Sequence, residues 1–368
     1  MRKIIIIFIL ISCIILSGCE LNIEVHEHDY IEEIISPTCT ENGYTKYTCD
    51  CGDTYDDNII ESNGHSYTKW ELVSDEEKII KKRNCKVCDL EEIEDVKETD
   101  LSLFEFELIN NDEEYKITRY NGSDNKIVVI PKMYNDKQIT VIGEHAFSYS
   151  NIESIAILEN IKEIENYAFN QCTSIQNVII KAKIKSINNG TFNGCESLIS
   201  VELPESINLI DEWSFTNCKN LTNINLPSSI ETINHNAFLY CVSLNNITFP
   251  EKLKYIGGCA FGNCENLEKV ILPNSVETVV EGAFNNCVAL NEVKLSSSMT
   301  YIDCGVFDNC SSLTKITITK NIQSIAPYAF QNCINLKTVH NYSNIKIFKG
   351  DTNNGYVGYY ATSIINYN

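Results

Sequence analysis

The apolar positions of this chain repeat with a period of 23 residues over most of its length. Nine phenylalanines mark the period, and their spacing is 22 residues once and 23 residues seven times: Phe147, Phe169, Phe192, Phe215, Phe238, Phe261, Phe284, Phe307 and Phe330. Ser150 follows the first of them by three residues, and a cysteine follows each of the others at the same distance: Cys172, Cys195, Cys218, Cys241, Cys264, Cys287, Cys310 and Cys333. A fixed period of this length, kept through nine units, predicts a solenoid of stacked coils.

One repeat, Leu221 to Cys241, predicts how each coil is built. Ile224 and Leu226 are two residues apart, so both side chains lie on one face of an extended strand. Pro227 ends that strand because it has no N–H to donate. Too few residues then remain before Cys241 for a long helix, so a tight turn or a single helical turn is expected there.

A single coil of this kind cannot bury its own apolar side chains, whereas stacked coils can. The repeated phenylalanines and cysteines are therefore predicted to form core ladders. The thiols are expected to be structural, because a free cysteine behaves as a small hydrophobic residue. With parallel strands about 4.8 Å apart, nine coils give a rod or arc roughly 40 Å long.

The pattern LxxIxLPxxIxxIxxxAFxxCxxL resembles the leucine-rich repeats of BspA-like bacterial surface proteins, from about Ile127 to Val339. The resemblance implies a repeat solenoid, a β-rich leucine-rich-repeat fold (α/β horseshoe-like) of about nine 23-residue coils. It also implies a role in binding or adhesion, and it supplies no catalytic residues.

Side chains that alternate with the core positions of each strand are expected to form one continuous outer surface, the usual binding face of this architecture. Its predicted members are Ser200, Glu202, Asn223, Asn225, Asn246, Thr248, Lys269, Ile271, Glu292, Lys294, Lys315 and Thr317. The alternative interpretation is a solvated polar face without a defined site. Four tyrosines in the turns form a second candidate patch: Tyr240, Tyr255, Tyr301 and Tyr328.

The chain begins like an exported lipoprotein. Arg2 and Lys3 precede an apolar run that is short for a membrane span and typical of a signal peptide. The run ends in Leu16-Ser17-Gly18-Cys19, which resembles the lipobox of bacterial lipoproteins and implies lipidation of Cys19. The alternative is an ordinary secretory signal with an incidental cysteine. The lipoprotein interpretation places the mature chain in the bacterial cell envelope, lipid-anchored and facing outside the cytoplasm.

A Cys/His-rich module precedes the repeats and consists of two degenerate copies offset by 37 residues. Its candidate ligands are His28, Cys39, Cys49 and Cys51 around the first copy and His65, Cys85 and Cys88 in the second. The segment PTCTENGYTKYTCDCG resembles a short Cys/His repeat found near the N-termini of many Gram-positive surface proteins.

Three interpretations of this module stay open: its cysteines and histidines bind structural zinc, its cysteines form disulfides, or the thiols are free and have no role. Cys85-Lys86-Val87-Cys88 has the spacing of a structural zinc knuckle, whereas Cys49-Asp50-Cys51 is one residue short of it. The second copy has Glu76 where the first has Cys39. The spacing thus favours one zinc site over two. In each interpretation the role is structural, because small domains need such cross-links.

The predicted domain plan has six parts. A signal peptide (1–18) is followed by a tether (19–36), the Cys/His double-repeat module (37–100), an N-terminal cap (101–131), the leucine-rich repeats (132–340) and a C-terminal cap (341–368). Caps are expected because an open end of a solenoid must be shielded.

The net charge and the sequence motifs narrow the range of expected functions. The chain carries 29 Lys and Arg against 50 Asp and Glu, a formal net charge of −21, which argues against nucleic acid as a partner. No nucleophile elbow, phosphate loop or dinucleotide-binding glycine pattern occurs, so no enzyme activity is expected. The favoured hypothesis is a lipid-anchored surface protein that binds a protein or glycan, touching the membrane through its anchor only. The alternative is a metal-handling lipoprotein that acts through the Cys/His module.

Overall fold

The computed structural model of the protein describes residues 27–74 and 78–367. The expected signal peptide and Cys19 lie outside the described residues. The chain divides into two compact units, one comprising Met1–Lys69 with Arg83–Glu92 and the other Trp70–Lys82 with Ile93–Asn368. Within the described ranges, no helix is long and apolar enough to cross a membrane.

The first unit contains an antiparallel sheet of three strands in the order β1-β2-β3, which are β1 (Tyr30–Ile35), β2 (Gly43–Cys49) and β3 (Thr54–Ile60). The expected tether over residues 19–36 is wrong for β1, because β1 pairs with β2 along its whole length, from Tyr30 opposite Cys49 to Ile35 opposite Tyr44. The ordered chain of this unit therefore begins before the expected boundary at residue 37.

Three further strands follow: β4 (Glu71–Ser74), β5 (Ile79–Asn84) and β6 (Glu91–Asp95). β4 pairs antiparallel with β5. Contrary to the expected module over residues 37–100, Trp70–Lys82 and the chain from Ile93 onward belong to the unit that holds the repeats. The reason is packing, since Leu72 is buried in a small cluster with Val129, Ala156 and Ile179 of the first coils.

The described part of the repeat unit consists of short strands joined by turns, with almost no helix. After a 3-10 helix at Leu101–Leu103 its strands are β7 (Phe104–Ile109), β8 (Glu114–Tyr120), β9 (Ile127–Val129), β10 (Met133–Tyr134), β11 (Lys137–Ile142), β12 (Ser154–Ile157), β13 (Glu163–Ile164), β14 (Asn177–Ile180), β15 (Ser186–Ile187), β16 (Ser200–Glu202), β17 (Leu209–Ile210), β18 (Asn223–Ile224), β19 (Thr232–Ile233), β20 (Asn246–Ile247), β21 (Tyr255–Ile256), β22 (Lys269–Ile271), β23 (Thr278–Val279), β24 (Glu292–Lys294), β25 (Tyr301–Ile302), β26 (Lys315–Ile318), β27 (Ser324–Ile325), β28 (Thr338–Asn341) and β29 (Ser363–Asn366). No α-helix occurs among the described residues, so the α/β element of the expected horseshoe is replaced by turns.

Equivalent strands of successive coils stand in two parallel columns. The first column comprises β9, β12, β14, β16, β18, β20, β22, β24, β26, β28 and β29, and the second runs from β8 and β11 through the odd-numbered strands β13 to β27. Register is kept by whole repeats, as in Asn223 opposite Asn246. The solenoid has about eleven coils, which roughly fits the expected nine. The expected end caps contribute to it, because β8 and β29 pair in parallel with the neighbouring coils.

The core confirms the predicted ladders. All nine repeat phenylalanines are at most 1% exposed, and consecutive rings stack with centroids 4.9–5.8 Å apart. Each repeat cysteine is fully buried, and its thiol donates a hydrogen bond to the backbone carbonyl of a phenylalanine, at 3.0–3.3 Å. For Cys241 the acceptor is Phe215, one coil before the adjacent Phe238. The cysteines thus link consecutive coils without disulfides.

The turn around each phenylalanine contains left-handed backbone on both sides of the ring. The residue two places after the phenylalanine has a positive φ in every repeat, and it is asparagine in five of them: Asn217, Asn263, Asn286, Asn309 and Asn332. Asparagine tolerates this conformation because its short polar side chain bonds locally. This double bend returns the chain within a few residues, which is why no helix is needed between the columns.

Candidate functional site

The predicted outer surface exists as one continuous face of the first column. All twelve of its predicted members are exposed, and we call them the open face: Ser200, Glu202, Asn223, Asn225, Asn246, Thr248, Lys269, Ile271, Glu292, Lys294, Lys315 and Thr317. Strand register places equivalents side by side, as with Lys269 beside Glu292, whose charged groups lie 3.2 Å apart. The structure thus places these residues together, and their role in binding stays a prediction.

The open face begins at Ser200 because the earlier coils are covered. Val129, Ala156 and Ile179 point outward from the same column, yet they are buried beneath Leu72 of β4. Beside this cover lies a groove of about 470 Å³, lined by β4 and by open-face residues including Ser200, Glu202 and Asn223. Sequence reasoning missed this groove, since the four residues of β4, Glu71-Leu72-Val73-Ser74, gave no sign of where the strand packs.

The tyrosine patch is less uniform than expected. Tyr240, Tyr301 and Tyr328 are exposed, whereas Tyr255 is half-buried and its hydroxyl lies 3.1 Å from Nε2 of His235. Trp213 is also exposed, and its φ of 59° is unusual for so large a side chain. It lies two residues before Phe215, a position that has a positive φ in every repeat and that carries histidine, tyrosine, glycine, asparagine or cysteine in the others, so no clear sequence signal marked it.

The Cys/His module brings all seven candidate ligands into two groups. Cys39, His65, Cys85 and Cys88 form one group and His28, Cys49 and Cys51 the other, and within each group the ligand atoms lie within 4.8 Å of one another. One assignment is corrected, since Cys39 was placed with the first copy and lies with the second. Backbone contacts explain this: Asn63 donates from its N–H to Thr38 and from its side chain to Pro37, which holds Cys39 next to the start of the second copy.

The electrostatics of the four-residue group favour a thiolate at one position. Backbone N–H groups of Val87 and Cys88 lower the pKa of Cys85 to about 5. Desolvation, with the neighbouring thiols of Cys88 and Cys85, raises the pKa of Cys39 to about 11. Cys85 is 1% exposed, so its charge would be held away from water by the turn that follows it. N–H groups aimed at one sulfur are an arrangement suited to a metal-bound thiolate.

The comparisons with known proteins agree with the repeat architecture. The family model "BspA type Leucine rich repeat region" matches residues 140–256 and 231–355 with six copies. No curated protein matches this chain. Similar solved structures include a leucine-rich repeat protein of T. pallidum, with 27% identity, a TM-score of 0.45 and coverage of 59% of this chain and 91% of that chain.

Two further solved structures are similar at lower identity. A leucine-rich cell surface protein of Faecalibacterium prausnitzii has 22% identity, a TM-score of 0.38 and coverage of 75% of this chain and 96% of that one. The pneumococcal vaccine antigen PcpA has 18% identity, a TM-score of 0.40 and coverage of 80% and 85%. The repeats themselves, matched over more than half of the chain, decide the family: this protein belongs to the BspA-type leucine-rich repeat family.

Proposed function

We propose that this protein is a lipid-anchored protein of the bacterial cell surface that binds a protein partner through the open face, in an adhesion-type role. The observation that carries the proposal is the open face itself, which offers exposed side chains at the same two strand positions in six consecutive coils. Membership of the BspA-type family supports an interaction role over a catalytic one.

The chemistry of the open face suits a protein better than a glycan. Its charges are mixed: Glu202 and Glu292 are acidic, whereas Lys269, Lys294 and Lys315 are basic. Amides and one partly exposed isoleucine lie between them, so hydrogen bonds, complementary charges and a small apolar contact are all available. No aromatic side chain stands among the twelve residues to stack on a sugar ring. A glycan partner would therefore need to bind by hydrogen bonds alone.

A binding assay with the full chain tests the proposal. The triple variant Asn223→Ala, Asn246→Ala and Lys269→Ala removes three neighbouring side chains of the open face and leaves the core intact. The matched control changes the same residue types elsewhere on the solenoid surface: Asn266→Ala, Asn321→Ala and Lys252→Ala, all of them exposed. Each protein is applied to matrix proteins, mucins and cell-wall glycans in parallel.

We expect a protein ligand to be retained by the wild type and the control and to be bound at least tenfold more weakly by the open-face variant. That loss corresponds to about 1.4 kcal/mol. Equal binding by both variants would place the contact elsewhere and reject the open face. Retention of glycans alone would reject the protein partner.

The anchor is tested separately. Cells that express the wild type and a Cys19→Ala variant are labelled with a radioactive fatty acid, and membranes are collected. We expect the label and the membrane association to be lost together in the variant, because acyl chains are what hold such a protein to a bilayer. Release of unmodified wild-type protein into the medium would instead indicate an ordinary secretory signal.

A further inference from the structure

The described part of the first unit has almost no hydrophobic core. Among its described residues, the buried apolar side chains are those of Cys39, Cys49 and Cys85 alone. Its described aliphatic residues are exposed except for the half-buried Ile35, and Ile34 is 76% exposed. Every residue of β3 is exposed as well. A unit of this size without a core needs a covalent or metal cross-link to stay folded.

The donor atoms of the four-residue group lie where a tetrahedral zinc ion would place them. Two sulfurs bound at about 2.3 Å in tetrahedral geometry lie about 3.8 Å apart, and a sulfur and a nitrogen lie about 3.5 Å apart. Sγ of Cys39 is 3.7 Å from Sγ of Cys85, and Sγ of Cys88 is 3.4 Å from Nδ1 of His65. A disulfide requires about 2.05 Å between its two sulfurs, and a histidine takes no part in it.

We propose that Cys39, His65, Cys85 and Cys88 bind one structural zinc ion, which joins the two copies of the Cys/His repeat. Three thiolates and an imidazole form a donor set that zinc prefers. Cys85-Lys86-Val87-Cys88 supplies two ligands from one turn, and Cys39 reaches the ion from the preceding copy. This site lies outside the repeats and is independent of the function proposed for the open face.

The fourth ligand distinguishes this site from its counterpart. His28, Cys49 and Cys51 repeat the same arrangement, with Sγ of Cys51 3.2 Å from Nδ1 of His28, but among the described residues this group has three donors. Cys39 fills the fourth position of the second group only. The four-donor group offers full tetrahedral coordination, which leaves no open position for exchange or catalysis.

The test uses the full chain and Co²⁺ as a spectroscopic substitute for Zn²⁺. We expect the wild type to bind one tight equivalent with the absorption of a tetrahedral thiolate site, and Zn²⁺ to displace it. Cys51 and Cys88 occupy equivalent exposed positions of the two copies, so they form a matched pair. Cys88→Ser should weaken the tight equivalent by more than about 100-fold, beyond the effect typical of outer-shell changes. Cys51→Ser should leave it unchanged.

Cys39 is tested by replacement and rescue. Cys39→Ser should abolish the tight equivalent, and Cys39→His should restore it because histidine is itself a zinc ligand. The rescue keeps the test valid if Cys39→Ser unfolds the unit. An unaffected Cys39→Ser variant, or equal losses in Cys51→Ser and Cys88→Ser, would overturn the proposal. So would a chain purified without reductant that holds no zinc and weighs two hydrogens less, since that result indicates a disulfide.

Discussion

Truncation of one ring in the middle of the phenylalanine stack gives the most direct test of how the solenoid is stabilised. Phe238 is fully buried, and its ring centroid lies 5.1 Å from those of both Phe215 and Phe261. Phe→Ala changes in well-packed cores cost about 3–5 kcal/mol, and the cost is highest where the surroundings cannot collapse. We expect Phe238→Ala to lower the free energy of unfolding by about 4–5 kcal/mol.

The upper end of that range follows from the backbone around the cavity. Phe238 donates its N–H to Ala260 at 2.7 Å, and Phe215 donates to Ala237 at 2.8 Å. These bonds between coils hold the two flanking rings at their spacing, so neither can move into the space that Phe238 leaves. The loss is a large share of the 5–15 kcal/mol by which domains are usually stable.

Urea unfolding of the full chain, followed by circular dichroism, measures this effect. Phe348→Ala serves as the control because its ring is 60% exposed, and it should change the free energy of unfolding by less than about 0.5 kcal/mol. Phe330→Ala removes an equally buried ring, which stacks on Phe307 near the end of the array. This change should unfold the last coils locally instead of lowering the stability of the entire solenoid. A cost below about 1 kcal/mol for Phe238→Ala would refute the reasoning, since it would mean that the stack is not what holds the coils together.

Two further predictions concern single positions and use the same unfolding assay. Asn263 has a φ of 59°, so Asn263→Val should cost about 1–2 kcal/mol while Asn263→Gly stays near neutral; equal effects would show that φ is not the cause. Hydrogen bonds from Lys162 and Thr140 lower the pKa of Glu114 below 4.5, so its contribution is present above pH 4.5 and is lost as the pH falls through the folded-state pKa. Glu114→Gln should therefore destabilise the protein at pH 7, by an amount that shrinks as the pH falls through the folded-state pKa of Glu114, and a pH-independent cost would contradict this.

The repeat architecture was predictable because the same pattern of apolar residues occurs many times along the sequence. Phe238 and Cys241 are uninformative alone, but the same pair at a fixed spacing in successive coils leaves few structures that bury all copies. Core burial and the exposure of Asn223 and Asn246 both follow from the alternation of side chains along a strand. Sequence reasoning also identified the seven Cys and His residues that the structure gathers into two groups.

The incomplete or incorrect predictions concern features that depend on a single residue or on one short strand. A lone asparagine such as Asn263 fits many turns, so the left-handed bend on each side of the phenylalanine was visible only in the backbone. β4 covers the outward face of the first coils through Leu72, and the periodic pattern of the sequence gives no indication of this packing contact. Cys39 was counted with the copy in which it stands, whereas hydrogen bonds from Asn63 bring it to the next one.

The division between core and surface in each coil explains how such a protein can acquire a binding role without losing its fold. In the strand at Lys269–Ile271, Val270 is fully buried while its two neighbours point outward. The outward side chains contribute little to stability, since surface substitutions usually change it by less than about 0.5 kcal/mol. Each of the six strands of the open face thus offers two positions that can change without loss of the fold. The buried phenylalanine and cysteine of the same coil, which bond to the neighbouring coil, keep those positions in register.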